Sequence, residues 1–479
     1  MKKDDVFYNA MLARDPRFDG KFFVGVKTTG IYCRPICPAK PKRENVEFFS
    51  NHLAAEKAGY RPCLRCRPES APQSPAWIGK SALVRRAIRM IDKIETLEFN
   101  ENDFADLFGV SARHLRRLFI EEVGKTPKQL SFENRLNLSR QLITETALPV
   151  TEVAFAAGFN SIRRFNDAFK ERFKKSPSEI RRKPVKDKST LTIRLSYRPP
   201  FDFTGLLHFY RSHAVGQLEW FEEGLMHRII EVNGKVGQIT LSDLPDESCI
   251  KLEIDFPDTT ALHTIISRVR SLLDLDSDPV IIANVLETDK DMKALLKKHP
   301  GIRLPSSWDP FEVVVAAILG QVVSVERGRA LVNDLIDLAG SDSGLLRDGK
   351  SVRLFPTPAQ VIKADLKSLK TTTRRKGTLV ALSKALINGD LSLEPAQDVD
   401  SFVEKILGIP GIGPWTASYM ALKALRHTDA FPATDLIIAR AIAEHPKTKF
   451  ESFSPWRGYV AALLWREYSQ VLKKTGRKK

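Results

Sequence analysis

The stretch Leu407-Gly408-Ile409-Pro410-Gly411-Ile412-Gly413-Pro414 lies between two segments with helical apolar periodicity. A Gly-x-Gly turn at a helix N-terminus lets backbone amides approach a phosphate without interference from side chains. The stretch therefore predicts a hairpin between two helices, with Gly411 and Gly413 contacting the DNA backbone. A glycine pair alone also fits an ordinary turn between helices, so the flanking residues must decide between the two interpretations.

The hairpin is followed by Trp415-Thr416-Ala417-Ser418-Tyr419 and then by Asp429-Ala430-Phe431-Pro432-Ala433-Thr434-Asp435-Leu436. Together these stretches resemble the helix-hairpin-helix glycosylase superfamily, and Asp435 stands at the position of its catalytic aspartate. Ile318-Leu319-Gly320-Gln321-Val322-Val323-Ser324-Val325 resembles a helix-start motif of the alkylbase glycosylases similar to AlkA. The resemblance implies a base pocket lined by Trp415, Tyr419 and Trp465, with Gln321 at its floor or rim and Val322 as the wedge that replaces the extruded base.

The chemistry of alkylated bases suits such a pocket. A 3-methyladenine or 7-methylguanine carries positive charge and attracts electron-rich aromatic rings. Trp415 follows the hairpin where bifunctional relatives carry a nucleophilic lysine, so we expect a monofunctional DNA-3-methyladenine glycosylase II. The alternatives are that the aromatic residues are ordinary core side chains and that Asp435 only caps a helix.

Four of the 5 cysteines form two close pairs, Cys33-Arg-Pro-Ile-Cys37 and Cys63-Leu-Arg-Cys66. Four thiolates at this spacing satisfy one tetrahedral Zn²⁺, and a purely structural zinc knot is one interpretation. The stretches Thr28 to Cys37, Arg43 to Val46 and Ala58 to Cys66 resemble the N-terminal domain of the adaptive-response regulator Ada. The resemblance implies that Cys33 is both a zinc ligand and the acceptor of a methyl group from a DNA methylphosphotriester.

Residues 81–183 contain an internal repeat. Phe104 to Ser111 matches Val153 to Asn160, and each copy is followed by a basic helical segment. This repeat predicts two helix-turn-helix units with a glycine in each turn, although surface arginines can also belong to a merely solvated face. The arrangement resembles the AraC-type DNA-binding domain, which Ada also carries. The arginines expected to contact DNA are Arg113, Arg116, Arg117, Arg163 and Arg164.

The chain departs from Ada after this repeat, because it lacks the Pro-Cys-His-Arg acceptor motif of the alkylguanine methyltransferase. Its remaining cysteine, Cys249, stands at a strand start, so we expect it in the core. Several short runs within residues 191–290 alternate in polarity, and two of them flank the hairpin signal Asn233-Gly234. This pattern predicts an α+β domain. The region corresponds to the N-terminal domain of the AlkA-like enzymes.

The whole chain of 479 residues has a formal net charge of +17, which favours an anionic partner such as nucleic acid. The segment 191–300 is acidic and the others are basic, so we expect that segment to be a scaffold. There is no apolar run long enough to cross a bilayer, and the polar start and few cysteines predict a cytoplasmic protein. We also expect a monomer.

The predicted fold class is multidomain. We expect a small zinc α+β domain at 1–70, an all-α double helix-turn-helix domain at 81–183, an α+β domain at 190–295 and an all-α helix-hairpin-helix glycosylase domain at 300–475. Proline-rich residues 68–75 and polar residues 181–190 predict linkers.

The predicted function is a bifunctional response to alkylation damage: sensing and repair of methylphosphotriesters by Cys33, activation of transcription, and excision of alkylated bases from double-stranded DNA. RNA polymerase is a further expected partner. One alternative is a transcription regulator whose C-terminal portion is a non-catalytic DNA-holding module. Another is a glycosylase that uses the N-terminal domains only as DNA tethers.

Overall fold

The computed structural model describes residues 3–13, 18, 22–35, 37, 39–49, 54–55, 58–63, 83–84, 87–88, 90–91, 100–181, 191–394 and 399–475. The chain divides into two compact units, Met1–Asn137 and Leu138–Lys479. The linker predicted at 68–75 lies outside the described residues, as does all of the second linker except Arg181. Within these ranges, no helix has the length and apolarity that a membrane crossing requires.

The first unit begins with a small sheet beside a short helix, α1 (Lys3–Leu12). The strand order is β3-β1-β2-β4, and β2 and β4 run parallel, with Tyr32 opposite Pro62. Apolar residues on β1 and β2, including Phe23 and Tyr32, are buried and form its core. The four strands are β1 (Phe23–Val26), β2 (Ile31–Cys33), β3 (Val46–Phe49) and β4 (Arg61–Pro62).

The helices that follow have the pattern expected from the sequence repeat. In the first unit, α2 (Glu101–Asp106) and α3 (Ala112–Glu122) are separated by a turn in which Gly109 has a φ of +65°. Ser111 caps α3 by accepting a hydrogen bond from the His114 amide at 3.3 Å. A positive φ is costly for residues with a Cβ, which explains the glycine in this turn. The next helix, α4 (Pro127–Glu145), begins in the first unit.

The second copy lies in the second unit and repeats these features. Its helices α5 (Val150–Ala156) and α6 (Ile162–Phe173) flank Gly158, which has a φ of +86°. Ser161 caps α6, and the side chain of Phe165 in this helix is fully buried. A short helix, α7, closes the region at Pro177–Ile180. Each predicted helix-turn-helix is therefore present as a helix pair with its glycine turn.

An antiparallel five-stranded sheet with the order β5-β9-β8-β7-β6 follows in the second unit. Asn233 and Gly234 both have positive φ, as the tight hairpin between β7 and β8 requires. The strands are β5 (Leu191–Ser196), β6 (Glu219–Glu222), β7 (Leu225–Val232), β8 (Lys235–Leu244) and β9 (Cys249–Asp255). The helices of this region are α8 (Phe203–Ser212), α9 (Leu262–Leu272), α10 (Pro279–Leu286) and α11 (Lys290–Lys298).

The rest of the second unit is helical and encloses an apolar core that includes Val314, Leu335, Leu382 and Phe402. The apolar periodicity predicts an all-helical region, but the region also carries a two-stranded ribbon around Asp348-Gly349. The helices are α12 (Pro310–Leu319), α13 (Val325–Ala339), α14 (Pro358–Lys363), α15 (Thr373–Asn388), α16 (Val399–Leu407), α17 (Pro414–Lys423), α18 (Leu436–Glu444) and α19 (Arg457–Thr475), and the ribbon strands are β10 (Asp342–Arg347) and β11 (Lys350–Arg353). The multidomain fold class is confirmed.

A buried ion triad connects the five-stranded sheet to α12. Arg228 on β7 is 2% exposed, and its guanidinium donates to the carboxylates of Glu219 on β6 and Glu312 on α12. Burial raises the pKa of Glu312 to about 7, despite the attraction of Arg228. An unpaired charge at this depth would be strongly destabilising, so the triad fixes the position of α12 on the sheet.

Candidate functional site

The carboxylate of Asp435 lies between two indole rings. Its Oδ2 accepts a hydrogen bond from Trp415 Nε1 at 3.0 Å, and its Oδ1 accepts one from Trp465 Nε1 at 3.0 Å. Asp435 is also the N-cap of α18, where Oδ1 accepts from the amides of Ile437 and Ile438 at 3.0 and 3.3 Å. These four hydrogen bonds hold the carboxylate in one orientation, with Oδ2 directed at Trp415 and Oδ1 at Trp465 and the helix start.

Three aromatic side chains form one wall beside this carboxylate. The rings of Trp415 and Tyr419 stack with centroids 5.5 Å apart, and the ring of Trp465 meets Tyr419 at 6.0 Å in an edge-on arrangement. Burial and the nearby Asp435 charge raise the pKa of Tyr419 to about 12, so its hydroxyl is neutral at physiological pH. The residues predicted from the sequence to line a base pocket are thus brought together around Asp435.

The Gly-rich hairpin joins α16 to α17. Gly411 has a φ of +94°, and a Cβ at this position would lie 2.1 Å from Thr378 Oγ1, which itself donates to the Pro410 carbonyl at 2.8 Å. Gly413 is the N-cap of α17, and no side chain among the described residues caps this helix start. A Cβ on Gly413 would meet nothing within 4 Å. The amides at the start of α17 are therefore open to an anion such as a backbone phosphate.

Gln321 and Val322 form the turn between α12 and α13. The Gln321 side-chain amide donates to the Gly411 carbonyl and to Thr416 Oγ1, both at 3.1 Å, and so ties this turn to the hairpin. Val322 projects fully into solvent, with a relative exposure of 101%, and has a φ of +54°. The motif that was predicted as a helix start spans the end of α12, this turn and the start of α13. Its exposed apolar tip suits a residue that enters a DNA stack.

A buried lysine lies behind the aromatic wall. Lys423 is 3% exposed, and its Nζ donates to the Pro305 carbonyl at 3.1 Å and lies 5.5 Å from the Trp465 ring centroid. Burial lowers the pKa of Lys423 to about 7, with a smaller opposing effect from the Asp274 carboxylate. The burial of Lys423 is not predictable from the sequence, because a lysine in a helical segment is usually solvated.

Three of the four predicted zinc ligands converge in the first unit. Cys33 ends β2, Cys37 follows a turn in which its amide donates to the Arg34 carbonyl at 3.0 Å, and Cys63 follows β4, where its amide donates to the Tyr32 carbonyl at 3.0 Å. The three Sγ atoms lie within 4.8 Å of one another, which suits thiolates that each bind one ion at about 2.3 Å. The prediction of Cys66 as the fourth ligand lies outside the described residues. The donor set fits Zn²⁺.

The accessibility of these thiols differs. Cys33 and Cys37 are buried, with 5% and 3% exposure, whereas Cys63 is half-buried. Cys249 is buried at the start of β9, as expected for a core residue, and burial raises the pKa of its thiol.

The predicted DNA-contacting arginines lie on the outer faces of α3 and α6, and all five are exposed. Arg116 pairs with Glu101 on α2, and Arg117 contacts the His114 ring at 3.1 Å. Such exposed pairs contribute little stability, so a phosphate can replace them at small cost. Within the described residues, Arg163 and Arg164 on α6 make no ion pair.

Sequence profiles of three families match consecutive parts of the chain. They are the metal binding domain of Ada at residues 6–69, a helix-turn-helix domain at 104–183 and the AlkA N-terminal domain at 192–309. These matches confirm the three resemblances that were drawn from the cysteine pairs, from the helical repeat and from the strand-rich region 191–290.

Curated relatives match all or part of the chain. A probable bifunctional transcriptional activator/DNA repair enzyme AlkA of Mycobacterium tuberculosis is 35% identical over 96% of this chain and 95% of its own length. The DNA-3-methyladenine glycosylase 2 of Escherichia coli is 30% identical over 57% of this chain and 95% of its own length. The bifunctional transcriptional activator/DNA repair enzyme Ada of the same species is 41% identical over 26% of this chain and 34% of its own length.

The first of these relatives aligns over nearly the full length of both chains, whereas the other two match 57% and 26% of this chain. The chain therefore belongs to the AlkA family of bifunctional transcriptional activators and DNA repair enzymes.

Proposed function

We propose that this protein senses methylphosphotriesters in DNA through Cys33, activates transcription through its helix-turn-helix units, and excises alkylated bases in a pocket built around Asp435. One observation carries the excision function: a carboxylate held by the indoles of Trp415 and Trp465, beside a helix-hairpin-helix. A helix cap alone does not need two aromatic donors, because the Ile437 and Ile438 amides already satisfy Oδ1.

The arrangement supports hydrolysis of a weakened glycosidic bond. A cationic alkylated base is attracted to the electron-rich faces of Trp415 and Tyr419. As the bond between the base nitrogen and C1′ breaks, the base takes the electron pair and becomes neutral, and the sugar becomes cationic. The Asp435 carboxylate stabilises this cation and accepts a proton from the water whose oxygen bonds to C1′.

We propose that the glycosylase is monofunctional. Trp415 stands where a lysine nucleophile would follow the hairpin, and its indole is engaged with Asp435. Lys423 is an amine near the pocket with a lowered pKa, but it is buried and donates to the Pro305 carbonyl. A Schiff base with the sugar would require this amine to leave that position, so we expect an abasic site with an intact strand.

For the sensor, we propose that Cys33, Cys37, Cys63 and Cys66 hold one Zn²⁺. When bound, the ion keeps the ligand thiols deprotonated at neutral pH. The Cys33 thiolate attacks the methyl carbon of a phosphotriester, an S–C bond forms, and the O–C bond breaks as the phosphodiester leaves with the electron pair. The product is a thioether, so Cys33 reacts once per molecule.

We further propose domain boundaries at 1–70, 81–183, 190–295 and 300–475, in a monomer. The exposed arginines of α3 and α6 support binding to promoter DNA, and activation of transcription implies RNA polymerase as a partner. The DNA repair activities in the names of the bacterial relatives support a cytoplasmic location.

The excision function is tested by Asp435→Asn, assayed for base release from duplex DNA that contains 7-methylguanine. Asp289→Asn is a matched control, because Asp289 caps α11 through the amides of Asp291 and Met292 and also accepts from Thr448 Oγ1 at 3.1 Å. We expect Asp435→Asn to abolish release while DNA binding persists, and Asp289→Asn to retain release. Comparable release by both variants would reduce Asp435 to a helix cap.

Assays of the wild-type protein distinguish the remaining alternatives. If it releases no base, the C-terminal region is a non-catalytic DNA-holding module. If borohydride traps a covalent complex with DNA, the monofunctional mechanism is wrong. If Cys33 gains no methyl group and methylated DNA causes no promoter activation, the N-terminal domains serve only as tethers.

A further inference from the structure

The turn that presents Val322 is held by side chains from two other elements. On one side, the Gln321 side chain reaches the hairpin at Gly411 and Thr416. On the other side, the Gln321 backbone carbonyl accepts a hydrogen bond from the guanidinium of Arg375 on α15. The sequence separation between Arg375 and Gln321 is 54 residues, so this contact could not be read from a local pattern.

The Gln321 carbonyl belongs to the same rigid peptide plane as the Val322 nitrogen. The direction of this carbonyl therefore fixes the orientation of the peptide plane that precedes Val322. Val322 has a φ of +54°, a conformation that β-branched residues rarely adopt and that persists only when surrounding contacts enforce it. A change in the direction of the carbonyl would change the direction in which the Val322 side chain points.

Arg375 is itself held in place for this contact. A second guanidinium nitrogen of Arg375 donates to Thr371 Oγ1 at 3.3 Å, and the start of α15 is capped by Thr372. Arg375 is half-buried, whereas its neighbour Arg374 is exposed and makes no side-chain hydrogen bond within the described part of the chain. The two arginines carry the same charge at nearly the same place, but only Arg375 contacts the turn.

We propose that Arg375 is a positioning residue for base extrusion: it holds the Gln321 carbonyl so that Val322 points into the DNA stack, and it thereby sets the rate at which the damaged base leaves the helix. The inference rests on the proposed excision function and on the wedge role that the resemblance to the alkylbase glycosylases implies for Val322. Arg375 acts through Val322 and does not touch the reacting atoms.

The test uses the full-length protein and a duplex with 7-methylguanine beside 2-aminopurine, whose fluorescence rises when its neighbour is extruded. Base release is followed in the same samples under single turnover at saturating protein. We expect Arg375→Gln to lower both the extrusion rate and the saturating release rate by about tenfold or more, with little change in Kd. Arg374→Gln removes the same charge and should leave the saturating rates unchanged. Arg375→Lys should recover part of the rate, because an ammonium can still donate to the carbonyl.

A double-mutant cycle with Val322→Gly separates positioning from a general loss of structure. If Arg375 acts through Val322, adding Arg375→Gln to Val322→Gly lowers the extrusion rate no further. Fully additive effects, or equal effects of Arg375→Gln and Arg374→Gln, would overturn the inference. Wild-type protein that releases no base would overturn the proposed function itself, which is a distinguishable result. Thermal unfolding of each variant confirms that the fold is retained.

Discussion

A side chain added at Gly411 would clash with Thr378, whereas one added at Gly413 would meet nothing within 4 Å. We therefore expect Gly411→Ala, but not Gly413→Ala, to destabilise the protein. The new Cβ would lie 2.1 Å from Thr378 Oγ1, a distance that real contacts do not show, and φ is +94°. The hairpin must therefore move away from α15 or Thr378 must give up its hydrogen bond to the Pro410 carbonyl.

The cost follows from two contributions. A left-handed backbone costs a residue with a Cβ roughly 1–2 kcal/mol. Loss of the Thr378 hydrogen bond adds about 1 kcal/mol. We expect Gly411→Ala to lower the free energy of unfolding by roughly 2–3 kcal/mol, which for a unit as large as Leu138–Lys479 lowers the Tm by roughly 3–4 °C.

Calorimetry measures this loss, and a salt-controlled DNA titration measures the effect on binding. Gly413→Ala is the matched control, since its Cβ would meet nothing within 4 Å. It should leave the Tm nearly unchanged, and, if a phosphate binds the amides at the start of α17 as proposed, its methyl group should weaken DNA binding. Thr378→Ala in the Gly411→Ala background should restore part of the lost stability. Equal Tm values for both glycine variants, or no recovery by Thr378→Ala, would refute this explanation of the hairpin.

Three other predictions concern the buried lysine, the zinc site and the recognition helices. Because the folded pKa of Lys423 is about 7 and the unfolded value is near 10.5, the unfolded state binds more protons between these values. The free energy of unfolding therefore rises with pH across this window, by on the order of 4 kcal/mol from this group. Lys423→Met should flatten the rise in a pH series of unfolding midpoints, and an unchanged profile would contradict the shift. Native mass spectrometry should find one zinc ion per chain that is lost in Cys63→Ser; a folded metal-free first domain would show that the ion is dispensable. Arg163→Ala should weaken promoter binding and reduce the slope of log K against log salt by about 0.9, and an unaltered slope would remove Arg163 from the interface.

Local signals in the sequence were sufficient for the turns and for the metal site. Asn233-Gly234, Gly109 and Gly158 all adopt the positive φ that their motifs predicted. Cys33, Cys37 and Cys63 converge because two short loops of the small sheet bring them together. Each turn depends on one or two adjacent residues, and the metal site depends on two short cysteine pairs.

Contacts across long sequence separations were not available from such signals. The indoles of Trp415 and Trp465 reach Asp435 from 20 and 30 residues away, and residue spacing does not define the direction of a side chain. Arg375 lies 54 residues from Gln321, in a stretch that resembles a solvated basic face. The ribbon around Asp348-Gly349 was overlooked although the turn signal is present, because the apolar periodicity on both sides is helical.

The central claim is that one chain carries both a methyl-accepting sensor and a base-excising pocket. The most direct measurement is mass spectrometry of one reaction of the intact protein with methylated duplex DNA, scoring free bases and protein peptides together. We expect released 3-methyladenine and 7-methylguanine that accumulate over many turnovers, together with a single methyl group on the peptide that contains Cys33. Base release without any methylated cysteine, a mark on Cys63 or Cys66 instead, or a methylated Cys33 without released bases would contradict it.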